Sequence, residues 1–165
     1  MNAHAFRHLY EYHFSENRKI WDQFILPLNQ EEFTRSVDYS LGSVRNHIVH
    51  LMSVDDTWFC ELQDKEIPHM LNPVHFNKRE KIRGHWDMVE KNMRNYLSSL
   101  EDFKLSEKPL EGEDKDLAVW QVLYHVVNHG TDQRAQILRL LHDLGVKTGP
   151  QDYIFYVYDH SQAKV

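Results

Sequence analysis

His125, His129 and Gln133 follow one another at intervals of four in the stretch His125-Val126-Val127-Asn128-His129-Gly130-Thr131-Asp132-Gln133. On a helix this spacing lays them along one stripe, each about 6 Å further along the axis than the last. The chemistry such a stripe offers is ligation of a divalent metal, with neutral imidazole nitrogens about 2.0 to 2.1 Å from a zinc-like ion. One helix rarely completes a coordination sphere. A second source of donors is Asn46-His47-Ile48-Val49-His50-Leu51-Met52, where His50 precedes Val54 by four and Trp58 by eight, a register that predicts an inward-facing ring. If the two helices are neighbours, His50 meets His129 and Gln133 in a three-donor cluster with coordination positions left open. Open positions mark catalytic rather than structural sites.

The elements that must position these residues are helical. Phe6, Leu9, Tyr10, Phe14, Trp21, Phe24 and Ile25 recur at three- and four-residue steps and predict a first helix that Pro27 ends or closely follows. Val44, Ile48, Leu51, Met52, Val54, Trp58 and Leu62 predict a second, with Ser40 or Ser43 as its N-cap. Ile82, Trp86, Val89, Met93, Tyr96, Leu97 and Leu100 predict a third, whose interleaved charges form a wet face. The charged segment from Glu101 to Asp116, broken by Pro109 and Gly112, reads as a mobile connection. The fourth and longest apolar run begins near Asp116 or Leu117 and stops at Gly145. Beyond it the short, aromatic and β-prone Pro150-Gln151-Asp152-Tyr153-Ile154-Phe155-Tyr156-Val157-Tyr158 has no convincing strand partner and is expected to pack as an extended tail. The prediction is an all-α four-helix bundle, a fold whose interior is where metal sites are usually built.

Composition bounds the function. With 165 residues, 41% of them apolar, the chain is expected to form one domain, 1–165. A net charge of -6 supplies no basic field for a phosphate backbone, so nucleic acid is not expected as a partner. Cys60 is the only cysteine, which excludes an internal disulfide and a thiolate cluster, and its neighbours Trp58, Phe59 and Leu62 predict a buried thiol. Glu11 and Glu16 near the start, and the lack of any apolar run of membrane-spanning length, predict neither signal peptide nor membrane helix. A cytoplasmic protein is the expectation. Trp21, Trp58, Trp86 and Trp120 stand at helical spacing and read as core.

Gly42-Ser43-Val44 with His50, Asp55 and Trp58, followed by His125-Val126-Val127-Asn128-His129-Gly130-Thr131-Asp132-Gln133-Arg134-Ala135-Gln136-Ile137, resembles the DinB family of DinB/YfiT-like metalloenzymes. The resemblance covers most of the chain. It implies a four-helix bundle, often homodimeric, in which a divalent transition metal, zinc or nickel, is bound by three histidines, one on the second helix and two on the last. The family's last-helix pattern reads His-x-x-x-His-Arg-Gly-Gln. The first ligand maps to His50, the second to His129 and the third to Gln133, with Arg134 and Gln136 matching and Ala135 in place of glycine. The resemblance also implies a small-molecule substrate and a thiol-dependent S-transferase using a low-molecular-weight thiol such as bacillithiol or mycothiol. Hydrolysis would use the same ligands.

Gln133 is the departure from the family. It binds a metal only through a neutral amide oxygen, a harder and weaker donor than imidazole toward zinc, nickel or copper. Three readings stay open: Gln133 ligates directly, it reaches the ion through a water, or the site has lost its metal. In the third case the chain is a non-catalytic, stress-associated bundle. Asp132 and His47 stand three residues from His129 and His50 as substitute donors off the family positions. His125 is expected to bond a neighbouring helix or to support His129. Asp55 is expected to orient a ligand imidazole or to form an ordinary salt bridge. Arg134 is expected to pack, to cap, or to hold a substrate carboxylate. The tail covers core, a dimer seam, or the metal cleft.

Overall fold

The computed structural model describes residues 1–161. Six α-helices are present among them and no β-strand: α1 (Ala3–Ile20), α2 (Gln30–Thr34), α3 (Val44–Glu61), α4 (Arg79–Ser99), α5 (Val119–Asp143) and α6 (Tyr153–Ser161). The four long helices form the expected bundle, α1 lying against α4 and α5, and α3 against the same two. No helix among the described residues is long and apolar enough to cross a membrane.

Local chemistry explains the boundaries. Asn2 Oδ1 accepts from Ala5 N at 2.9 Å to start α1, which passes at Trp21 into one π-helical stretch, Trp21–Ile25, before Pro27 halts it. Ser43, not Ser40, caps α3, its hydroxyl accepting from Asn46 N at 3.2 Å. Beyond α5, Gly145 takes φ +80°, and Val146 N bonds back to Leu141 O at 2.9 Å, the left-handed stop anticipated there.

Phe6, Tyr10 and Phe14 of α1 and Ile82, Trp86, Val89, Met93 and Leu97 of α4 put their buried faces into one core, with Trp21 edge-on to Trp86 at 6.0 Å. Burying each large apolar side chain of this kind stabilises the fold by about 1.5–3 kcal/mol. Tyr10 adds direction: its hydroxyl donates to Leu123 O at 3.0 Å and fixes the height of α1 against α5.

Four expectations need correction. The tail is not extended but helical. With no strand to pair with, a helix satisfies its backbone internally and brings Tyr153 and Tyr156 onto one face, where they meet Tyr12 edge-on at 5.4 and 5.7 Å. The segment from Glu101 to Asp116 is not a loose connection: two 3-10 turns, Asp102–Ser106 and Gly112–Asp114, are anchored by buried Leu105 and Leu110 and by Ala3 N donating to Asp102 Oδ1 at 2.8 Å. Trp120 is 45% exposed, because it lies at the first turn of α5 on the side away from the core. Cys60 is half-buried rather than enclosed, its Sγ 3.7 Å from Asp56 Oδ1, and burial together with that carboxylate pushes its pKa up.

Candidate metal centre

α3 and α5 pack along much of their length, and ring contacts give their sense: His47 meets Gln133, His50 meets His129, and Trp58 meets His125. Rising numbers on one helix face falling numbers on the other, so the two run antiparallel. The four-residue spacing on α5 and the three-residue spacing on α3 therefore become adjacent rungs across one seam.

The rung of His50 and His129 is the centre of the site. Their rings are 5.3 Å apart, edge to face, and both side chains are half-buried. Nδ1 of His129 is buried without a hydrogen-bond partner. Burial lowers the pKa of both rings; the negative charge of Asp55 pulls each partly back, and at His129 the neighbouring His50 and His125 lower it further. Both are therefore neutral near pH 7, the form that ligates a metal.

The adjoining rung is His47 and Gln133. Gln133 Oε1 is 2.9 Å from His47 Nδ1, with His47 fully buried and Gln133 only 7% exposed. With the amide oxygen as acceptor, Nδ1 carries the imidazole proton, and the buried Nε2 is left without a partner. Burial lowers this ring's pKa too, against the raising effect of the Gln133 bond.

The donors present suit a divalent ion in a particular way. Among the described residues no three His, Cys, Asp or Glu side chains are grouped to hold one. Two neutral imidazoles meet the need for nitrogen donors, and the buried, unpartnered Nδ1 of His129 is a polar atom with a bond still to make. Further polar atoms on the same seam are the Gln133 oxygen, which spends one lone pair on His47, and the buried, unpartnered Nε2 of His47.

Behind this face lies a buried polar cluster. Arg134 is completely enclosed: Nε donates to Gln151 Oε1 (2.9 Å), Nη1 to Asn17 Oδ1 (2.9 Å), and Nη2 to Thr131 Oγ1 (3.1 Å). His13 bridges Arg134 to Asp55. Its Nδ1 accepts from Nη1 at 3.3 Å, and its Nε2 faces Asp55 Oδ2 at 3.3 Å and Asn17 Nδ2 at 3.1 Å. One buried cation and one buried anion are thus linked through a ring across α1, α3 and α5.

His50, His129 and Gln133 thus lie on one antiparallel seam. His125 sits at the exposed rim, its ring 6.0 Å from His129 and edge-on to Trp58. Asp55 bonds His13, and Arg134 is enclosed in the core, where it cannot reach a substrate carboxylate. Sequence reasoning missed His13, Asn17 and Gln151. The first two carried a signal, polar residues four apart on the aromatic stripe of α1, whereas Gln151, in the link after α5, carried none.

The DinB family model matches residues 1–164. The protein is also similar to Protein DinB of Bacillus subtilis (strain 168), at 25% identity over 167 residues, which is 96% of this chain and 96% of that protein.

Proposed function

Since the chain belongs to the DinB family, we propose that it is a divalent-metal-dependent enzyme, cytoplasmic and homodimeric, with His50, His129 and Gln133 around one zinc or nickel ion. The observation that carries this is the His50–His129 rung: two half-buried imidazoles 5.3 Å apart, both held neutral, one with a buried nitrogen lacking any partner. When bound, the ion supplies Lewis acidity that lowers the pKa of a nucleophile placed at an open position. A low-molecular-weight thiol is the nucleophile this reading favours, giving S-transfer to a small electrophile; water at the same position gives hydrolysis. The chain's own part is to hold the two rings at a fixed separation and to present Trp58 and His125 as an aromatic rim for the carbon skeleton of a substrate.

Elemental analysis of untagged protein, followed by zinc and nickel titration at pH 7.5, tests the reading. One ion per chain is expected, with loss of binding in His50→Ala and His129→Ala and retention in His125→Ala. Less than about a tenth of an equivalent, with no binding of added metal under conditions where imidazoles are neutral, would sink it.

A further inference from the structure

Beside the His50–His129 rung the seam carries a second polar rung. That rung, His47 with Gln133, stands where the last helix departs from the family pattern. We propose that His47 is the positioning residue of this site: its Nδ1–H holds the Gln133 carboxamide so that the oxygen's second lone pair serves a divalent cation beside His50 and His129. This rests on the metal-site reading above. It assigns to a pair of residues, one from each helix, the position that a single α5 imidazole would otherwise fill.

Two observations and one physical argument carry it. The bond is 2.9 Å long and lies between two buried side chains, so neither partner is exchanging freely with solvent. His47 precedes His50 by three residues and Gln133 follows His129 by four, so in antiparallel helices the hydrogen bond falls one turn from the imidazole rung and on the same seam. A glutamine has three side-chain torsions to order before its oxygen can ligate, and a pre-formed hydrogen bond removes that entropy loss from the binding step. The effect concerns orientation, not basicity. An amide oxygen already accepting an N–H is no stronger a base, so His47 acts by aiming it.

The test measures zinc affinity by competition with a chromogenic chelator, and the visible spectrum of the cobalt(II)-loaded protein, for wild type, His47→Phe, His47→Gln, Gln133→Ala and the His47→Phe/Gln133→Ala double variant. Circular dichroism establishes that each is folded, and His47→Leu replaces the phenylalanine variant if that does not fold. His47→Phe should weaken zinc binding about 10- to 100-fold, the range for removing a partner that orients a ligand. It should also shift the cobalt bands. His47→Gln, which keeps an N–H donor, should recover most of the affinity. Adding His47→Phe to Gln133→Ala should change nothing further.

Unchanged affinity in folded His47→Phe overturns the proposal while leaving the metal site intact. An equal loss in the Gln133→Ala background also overturns it, by making His47 a ligand through Nε2. Wild-type protein that binds neither zinc nor cobalt removes the underlying metal reading itself. Nitrogen-15 NMR of the metal-free protein gives an independent check: His47 should carry its proton on Nδ1, and a ring protonated on Nε2 alone would refute the arrangement.

Discussion

The imidazole of His13 occupies the space that a side chain at position 130 would need: a Cβ on Gly130 would lie 2.4 Å from His13 Cε1 and 2.7 Å from His13 Nδ1. Gly130 is therefore an opening in the wall of α5 through which α1 delivers its histidine to Arg134 and Asp55. The residue next to it is His129, so the buried cluster and the His50–His129 rung share one turn of helix.

Gly130→Ala should lower stability by about 1–3 kcal/mol, the range for overpacking a filled site. His13 has to move, and both of its charged partners lose their contact. A methyl group added at Gly84 in α4 would meet nothing within 4 Å, and Gly84→Ala should raise stability by about 0.5–1 kcal/mol through helix propensity alone. Urea unfolding of the two variants checks the opposite signs. A gain in both would show that the His13 ring yields without loss.

Arg134→Met should cost about 3–5 kcal/mol, because it leaves Asp55 as a buried charge with no cation and strips donors from Asn17, Gln151 and Thr131. Adding Asp55→Asn should cost less than the sum of the single changes, since the double variant holds no uncompensated buried charge. Chemical denaturation of all three completes the cycle. Simple additivity would mean that His13 does not couple the two.

Much of this architecture was legible in the sequence. The three- and four-residue periodicity marks α1, α3, α4 and α5, Ser43 is readable as a cap, and Gly145 as a stop. The seam was legible in part: the register of His50 with Val54 and Trp58 turns that ring inward, but its meeting with His129 hung on the two helices being neighbours, which the sequence alone does not decide. His13 was not, because a histidine between Tyr10 and Phe14 reads as packing until the glycine opposite it is known. His47 lies off the positions that the resemblance marks, and only the antiparallel register reveals that Gln133 faces it. The tail misled because β-propensity measures fit to a sheet, and the described residues contain no strand to receive it.

Acid should weaken the metal-free protein. Burial lowers the pKa of His47, His50 and His129, so the unfolded chain takes up protons near pH 6.5 that the native state refuses. Stability contributed in this way is lost as the pH falls through about 6.5 and below. The urea midpoint at pH 5.5 should therefore be lower than at pH 7.5, and His50→Gln should flatten the difference. A midpoint that does not move with pH would mean the rings are protonated as readily folded as unfolded.

Gln133→His should tighten zinc or nickel binding by about tenfold, roughly 1.4 kcal/mol. The substitution exchanges a hard amide oxygen for an imidazole nitrogen, the better donor to both ions. It should also make His47 dispensable, because an imidazole with two torsions has less freedom to lose than a glutamine and no longer needs a hydrogen bond from α3 to fix its direction. Chelator competition on Gln133→His, with and without His47→Phe, measures both effects. Unchanged affinity would place position 133 outside the coordination sphere, and the α3–α5 seam would then be a two-imidazole site.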